Sequence, residues 1–111
     1  MNDLKINESL TNFDFVEKTM AQISKDFNRC GLEVEFELNT LIPIKEDLTN
    51  QIASRLIRLS AMELQQLIYT VDLQENKFLN AVTMNDDFKT LANEILKREA
   101  LKVFIRSNYS E

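Results

Sequence analysis

The clearest pattern of hydrophobic and polar positions in this chain is a strict alternation between residues 32 and 38. The apolar members are Leu32, Val34, Phe36 and Leu38, and every position between them is a glutamate. Because successive side chains of a strand point to opposite faces, this pattern predicts an extended segment with one apolar and one acidic face. A lone strand leaves its backbone N–H and C=O groups unpaired, so the segment needs a partner from this chain, a second copy or another protein.

Amphipathic helices are predicted on both sides of this segment. The first helix should run from about Asn12 to Cys30, because apolar residues recur there at steps of three and four. Thr11 and Asp14 approach the pattern of a capping box at its start. Gly31 should end this helix, since glycine adopts the left-handed conformation at a helix C-terminus without steric cost.

Two further helices are predicted to meet at a sharp corner at Ser60. Pro43 and the acidic residues that follow it indicate where the second helix begins. Ser60 and the glutamate three positions later form a capping box that opens the third helix. Residues 73–84 are predicted to be irregular or to form a single turn. Asn85–Asp87 should cap a fourth helix that begins at Phe88.

The fourth helix carries basic residues where its apolar stripe should continue. The basic residues on the stripe are Arg98, Lys102 and Arg106, and the apolar residues on other faces are Leu101, Phe104 and Ile105. Either the helix continues past the bundle and buries another side there, or it stops near Ala100 and residues 101–106 form a strand against the glutamate-rich segment. The helix is favoured, because the residues that lead into it have high helix propensity. The basic stripe is interpreted as a solvated face paired with Glu94 and Glu99.

We therefore predict a mainly α fold, a small four-helix bundle-like domain with one extended segment, about residues 32–38, between its first and second helices. The 111 residues suffice for a single domain with its own core. Residues 1–10 are expected to be a flexible N-terminal segment. One cysteine, no signal-peptide pattern and no apolar run of membrane-spanning length lead us to expect a cytoplasmic protein.

Catalytic chemistry is largely excluded by the residue inventory. The chain has no histidine, one cysteine and one glycine, which removes imidazole-based catalysis, zinc sites that use imidazole, CxxC centres and glycine-rich phosphate loops. Asp86 and Asp87 have neither the number nor the spacing of ligands that a calcium loop needs, so a helix cap is preferred to a metal site. We predict no catalytic residue, no metal and no cofactor.

The charge of the chain argues against nucleic acid and membranes as partners. The formal net charge is -5, from 13 basic and 18 acidic residues, which opposes attraction to phosphate and to anionic lipid. The second and third helices are joined tightly, as in a helix-turn-helix motif, but the segment that would be the recognition helix, residues 61–72, contains no Lys or Arg. We predict binding to neither nucleic acid nor membrane.

The sequence favours a non-enzymatic protein–protein interaction module, either a homodimer or a small adaptor or chaperone-like protein. Its partner would be a second copy or another protein, bound through apolar residues outside the bundle core. The predicted interaction residues are Leu32, Val34, Phe36, Leu38, Leu101, Phe104 and Ile105. Two alternatives stay open. One is a monomeric structural domain whose extended segment lies across its own bundle, and the other is a carboxylate-based, metal-dependent enzyme.

Overall fold

Helices make up most of the structure, a computed structural model that describes residues 3–39 and 41–109. In chain order they are α1 (Asp3–Ser9), α2 (Phe13–Arg29), α3 (Ile44–Leu56), α4 (Ala61–Val71), α5 (Glu75–Val82) and α6 (Lys89–Tyr109). No strand occurs within the described residues. The predicted mainly α class is confirmed, and the described part of the chain contains six helices where four were predicted.

The longest helix, α6, lies at the centre of the fold and contacts each of the other five helices. Its fully buried residues include Leu91, Ile95, Leu96 and Val103. A helix that is enclosed on several sides needs apolar residues around its circumference rather than along a single stripe. This accounts for the buried apolar residues outside the predicted stripe, Leu96 and Val103, but not for Ile105, which is exposed. Because α6 runs without a break through residues 101–106, the strand alternative for that segment is wrong.

The two helices that the sequence analysis did not predict are the shortest, α1 and α5. A flexible segment was expected over residues 1–10, whereas α1 forms within it, and Ile6 and Leu10 are buried in the core. Helix α5 lies in the segment predicted to be irregular, with Ala81 buried and Phe78 packed against the core. Two turns give too few apolar repeats for a helical period to be recognised. The stability of α1 and α5 therefore comes from tertiary packing.

Helix caps fix where α2 and α4 begin. The Ser60 hydroxyl accepts from the Glu63 N–H at 3.1 Å, and the Glu63 carboxylate accepts from the Ser60 N–H at 2.9 Å, so the predicted capping box and corner are confirmed. The cap of α2 is Asn12, whose side chain accepts from the Phe15 N–H at 3.1 Å, and not the predicted Thr11. The Thr11 hydroxyl donates instead to the last turn before α2, which leaves the next residue to cap the helix.

Candidate interaction site

The end of α2 sets the direction in which the chain leaves toward α3. Gly31 has a φ of 76°. Its N–H donates to the Asn28 carbonyl at 3.0 Å, and the Leu32 N–H donates to the Phe27 carbonyl at 2.9 Å. This pair of bonds is a Schellman motif, in which a left-handed residue closes the helix. The role predicted for Gly31 is confirmed, and the chain passes from it into residues 32–39, which we call the acidic strap.

Burial along the acidic strap alternates with a period of two. Its apolar side chains are half-buried and pack against the core, namely Leu32, Val34, Phe36 and Leu38. Its three glutamates, Glu33, Glu35 and Glu37, are exposed. The strap belongs to no helix and to no strand. The structure thus places these four predicted interaction residues on the core of their own chain and leaves the glutamates in solvent.

The backbone of the strap is hydrogen-bonded to side chains of α3. Gln51 makes two bonds with the backbone of Glu37: its side-chain carbonyl accepts from the Glu37 N–H at 3.3 Å, and its amide donates to the Glu37 carbonyl at 2.8 Å. One turn further along α3, the Arg55 guanidinium donates to the Glu35 carbonyl at 3.2 Å. These side chains do for the strap what the backbone of a neighbouring strand does in a sheet.

A third α3 side chain extends this row in the opposite direction. The Asp47 carboxylate accepts from the Asn39 N–H at 2.6 Å, and its other oxygen accepts from the Gln51 amide at 3.0 Å. The three α3 residues are spaced by four positions, which is about 6.0 Å along a helix. Their partners are spaced by two positions, which is about 6.6 Å along an extended chain. The two spacings agree closely enough for Glu35, Glu37 and Asn39 each to find a partner on α3.

The opposite edge of the strap has no such partner. In an extended chain the N–H and C=O of one residue point to the same side, and those of the next residue point to the other. In an extended strap, the backbone groups of Val34, Phe36 and Leu38 lie on the side opposite to those that bond to α3. Within residues 3–39 and 41–109 they take part in no hydrogen bond. We call these groups the open edge of the strap.

The other predicted interaction residues lie on α6, and the structure does not group them with the strap. Leu101 is half-buried and borders a depression together with Ile6 and Leu73. Phe104 is half-buried and borders a different depression, together with Phe15. Ile105 is 45% exposed. No strap residue lines either depression, so these α6 residues and the strap form no common surface in the described part of the chain.

A second polar feature is buried between α2 and α6. Lys102 Nζ lies 2.8 Å from Asp26 Oδ2 and 2.8 Å from Glu99 Oε1, and both acidic residues are almost completely buried. Beside them, the Gln22 amide donates to the second Asp26 oxygen at 3.2 Å, and Arg106 donates to the Gln22 side-chain carbonyl at 2.9 Å. This cluster joins the two helices through charged groups that have little contact with water.

Burial of Glu99 favours the protonated form of its carboxyl group. Burial, followed by a hydrogen bond with Asp26, raises the pKa of Glu99 from 4.5 to about 8 against the opposing effect of Lys102. Burial also acts to raise the pKa of Asp26, but hydrogen bonds with Glu99 and Lys102 outweigh it and leave that pKa below its ordinary value. A neutral Glu99 beside an Asp26–Lys102 ion pair adds no net charge to the interior, which is the least costly arrangement there.

This cluster was not predicted from the sequence. Of the pairs expected for the basic stripe, the one between Lys102 and Glu99 is present, at 2.8 Å, and Arg106 is exposed. The stripe also reaches other helices: Lys102 contacts Asp26 on α2, and Arg98 lies 3.0 Å from the Asp72 carboxylate at the end of α4. One signal is present in the sequence: Asp26 follows Ile23 by three positions and so lies on the apolar face of α2. The partner on α6 is more than seventy residues away, beyond the reach of any local pattern.

Within residues 3–39 and 41–109, no group of three or more His, Cys, Asp or Glu side chains is placed to hold a metal ion. None of the helices found there combines the length and apolar character that crossing a bilayer requires. Comparisons of this chain with protein-family models, with curated proteins and with solved structures find no match.

Proposed function

We propose that this protein is a non-enzymatic protein–protein interaction module that binds an extended segment of its partner along the free edge of the acidic strap. This mode of recognition adds a strand to an exposed backbone edge: main-chain hydrogen bonds supply affinity, and the side chains at alternate positions supply specificity.

The observation that carries the proposal is the one-sided pairing of the strap backbone. Groups of Glu35, Glu37 and Asn39 bond to side chains of α3, while those of the residues between them have no bond within the described chain. Together with the period of two in burial, this pairing leads us to infer that the strap is extended. One edge of the strap is therefore occupied by α3 from the Glu35 carbonyl to the Asn39 N–H, and we infer that the other is open.

The surroundings of the strap hold that open edge in place before any partner arrives. Its apolar side chains pack against the core, and the row of α3 side chains fixes its backbone from the other side. Ordering a flexible segment costs roughly 1–2 kcal/mol of backbone entropy per residue. A strap that is already ordered spares this cost when it binds, which favours recognition over a purely structural role.

We assign the buried cluster of Asp26, Glu99 and Lys102 to holding α2 on α6 rather than to catalysis. Its hydrogen bonds and ion pairs are made mainly within the cluster. Five surface depressions of the described residues are lined by none of these three side chains. A general acid or base must come within hydrogen-bond reach of its substrate, so this cluster supports an interaction module better than a carboxylate-based enzyme.

The proposal is tested by selecting ligands without naming one in advance. A displayed library of random ten-residue peptides is selected on the wild-type protein and then assayed against two matched variants, Val34→Pro and Glu35→Pro. Each variant removes one backbone N–H that makes no hydrogen bond in the described chain, and proline favours extended backbone at the residue before it. Only Val34→Pro removes a donor from the open edge.

We expect Val34→Pro to abolish binding of the selected peptides and Glu35→Pro, which removes one strap carboxylate but no donor of the open edge, to weaken it by less. Peptides that bind all three proteins equally would place recognition elsewhere and contradict the proposal. A selection that enriches no peptide for the wild-type protein would contradict it as well. The circular dichroism and thermal midpoint of the two proline variants show that loss of binding is not loss of fold.

A further inference from the structure

We infer that the segment that binds the open edge is basic, an extended stretch of another protein with Lys or Arg at every second position, and that it is not a second copy of this chain. The inference rests on the proposed function, since it names the kind of partner that the same edge accepts. It is carried by the charge on the solvent face of the strap.

The strap presents three carboxylates in a row. Glu33, Glu35 and Glu37 are exposed, and two-residue steps along an extended chain place neighbouring members about 6.6 Å apart. Within the described residues none of the three forms an ion pair. A strand added at the open edge places every second side chain on this same face, opposite a glutamate. Basic residues at those positions would find opposite charges at their own spacing.

A depression beside the strap is also acidic. A shallow depression at one end of the strap is lined by Asn28, Glu33, Val34 and Glu35. Its lining contains two carboxylates and an amide and no basic side chain. A Lys or Arg side chain of the partner fits such a lining, because it supplies only hydrogen-bond donors and a positive charge.

Pairing with a second copy fails on this same charge pattern. In a pair of straps whose apolar side chains share one face, odd-numbered residues of one copy lie opposite odd-numbered residues of the other. Every register of that kind that overlaps the two straps by five residues or more places glutamate against glutamate, and like charges directly opposite one another destabilise a strand pair. The three glutamates therefore oppose self-pairing at the edge, as charged residues do on other exposed edges.

The test uses three fluorescent nine-residue peptides that alternate valine with lysine, glutamine or glutamate. Valine keeps the strand propensity the same in all three, so only charge differs. Fluorescence anisotropy measures their binding to the wild-type protein, to Val34→Pro and to a triple variant, Glu33→Gln with Glu35→Gln and Glu37→Gln. A control triple variant removes the same charge from exposed positions elsewhere, through Glu8→Gln, Glu17→Gln and Glu75→Gln.

For wild type we expect the lysine peptide to bind at least tenfold more tightly than the glutamine peptide, and the glutamate peptide to bind least. The strap triple variant should lose this preference, and the control triple variant should keep it. Added salt should weaken the lysine peptide selectively, because exposed charges are screened. Amide exchange at Val34, Phe36 and Leu38 should slow when the lysine peptide is added, a readout that requires no variant.

Each contrary result has a distinct meaning. The lysine and glutamine peptides could bind wild type equally and both fail to bind Val34→Pro. That result would overturn the basic partner and leave the open-edge proposal standing. A lysine peptide that binds Val34→Pro as well as wild type would show general charge attraction and overturn both. Equal loss of the lysine preference in the two triple variants would also overturn the inference. A wild-type dimer that forms with rising concentration and is abolished by Val34→Pro would show that a second copy occupies the open edge, contrary to the inference. If none of the three peptides binds, the basic partner is likewise overturned.

Discussion

Gln51 binds the backbone of Glu37 at both its N–H and its C=O, at 3.3 Å and 2.8 Å. A primary amide presents its carbonyl and one N–H on the same side, as a residue of a strand does with its own N–H and C=O, so one side chain of α3 replaces one residue of a neighbouring strand. This relationship explains how the strap is held on a helical protein that forms no sheet in its described residues.

Replacing Gln51 with alanine should lower the free energy of unfolding by about 1–3 kcal/mol, because two hydrogen bonds to the strap are lost at about 0.5–1.5 kcal/mol each. Urea denaturation followed by circular dichroism measures the change. Asn50→Ala is the matched control, since Asn50 is exposed on the same helix and makes no side-chain hydrogen bond in the described structure. If the two variants have the same midpoint, Gln51 does not hold the strap.

Removal of the Ser60 hydroxyl should show what the capping box contributes. Ser60→Ala leaves the Glu63 N–H without its acceptor and should cost about 1 kcal/mol, the usual loss for an N-cap. Ser54→Ala serves as a control, because Ser54 lies within α3 and its hydroxyl bonds to the backbone of its own helix. An unchanged denaturation midpoint for Ser60→Ala would contradict the role of this corner in stability.

The buried Glu99 predicts that stability falls as pH rises. Its folded pKa of about 8 exceeds its ordinary value of 4.5, so the folded state keeps a proton that the unfolded state has released. The stabilisation that the buried, protonated Glu99 provides is complete below about pH 4.5. It is lost as the pH rises toward 8, and across this range the free energy of unfolding falls by at most about 1.4 kcal/mol per pH unit. The chain has no histidine to titrate across this range.

Urea titrations at several pH values from 5 to 8 measure this slope. Glu99→Gln, which keeps a neutral polar side chain at the position, should make the pH dependence flatter. Glu94→Gln should leave the slope unchanged, since Glu94 lies on the same helix, is only partly buried and pairs with Lys97. An equal slope in wild type and Glu99→Gln would refute the raised pKa.

Lys102→Met should be among the most destabilising substitutions at a charged residue of this protein. It leaves the Asp26 carboxylate buried without its cation, and breaking a buried ion pair typically costs about 3–5 kcal/mol. Lys25→Met should change stability by no more than about 0.5 kcal/mol, because Lys25 is exposed on α2. A loss of similar size in both variants would show that Lys102 is not needed to compensate the buried carboxylate.

The alternating segment was predictable because its period of two is visible in neighbouring residues of the sequence. The α3 side chains that bond to its backbone could not be predicted in this way. Asp47, Gln51 and Arg55 repeat every four residues in the sequence, but a polar row at that spacing is ordinarily the solvated face of a helix. Only the three-dimensional position of α3 beside the strap turns this row into a set of hydrogen-bonding partners.

Distance along the chain limits what the sequence reveals about the rest of the site. Ser60 and Gly31 were assigned correctly, because a cap depends on residues within one turn. Asp26 and Lys102 lie 76 positions apart, and each reads locally as an ordinary charged residue. The enclosure of α6 by five neighbours likewise has no local signature, since a helix without a single apolar face is also expected in solvent.

Amide hydrogen exchange of the isolated protein, resolved residue by residue by NMR, tests the open edge most directly. The N–H groups of Glu37 and Asn39 donate to α3 side chains, so both should exchange more slowly than those of Val34, Phe36 and Leu38, which should exchange at close to the free-peptide rate. In Gln51→Ala the Glu37 amide alone should lose its protection. Uniform exchange along the strap, or protection of the even-numbered amides, would contradict the existence of an open edge.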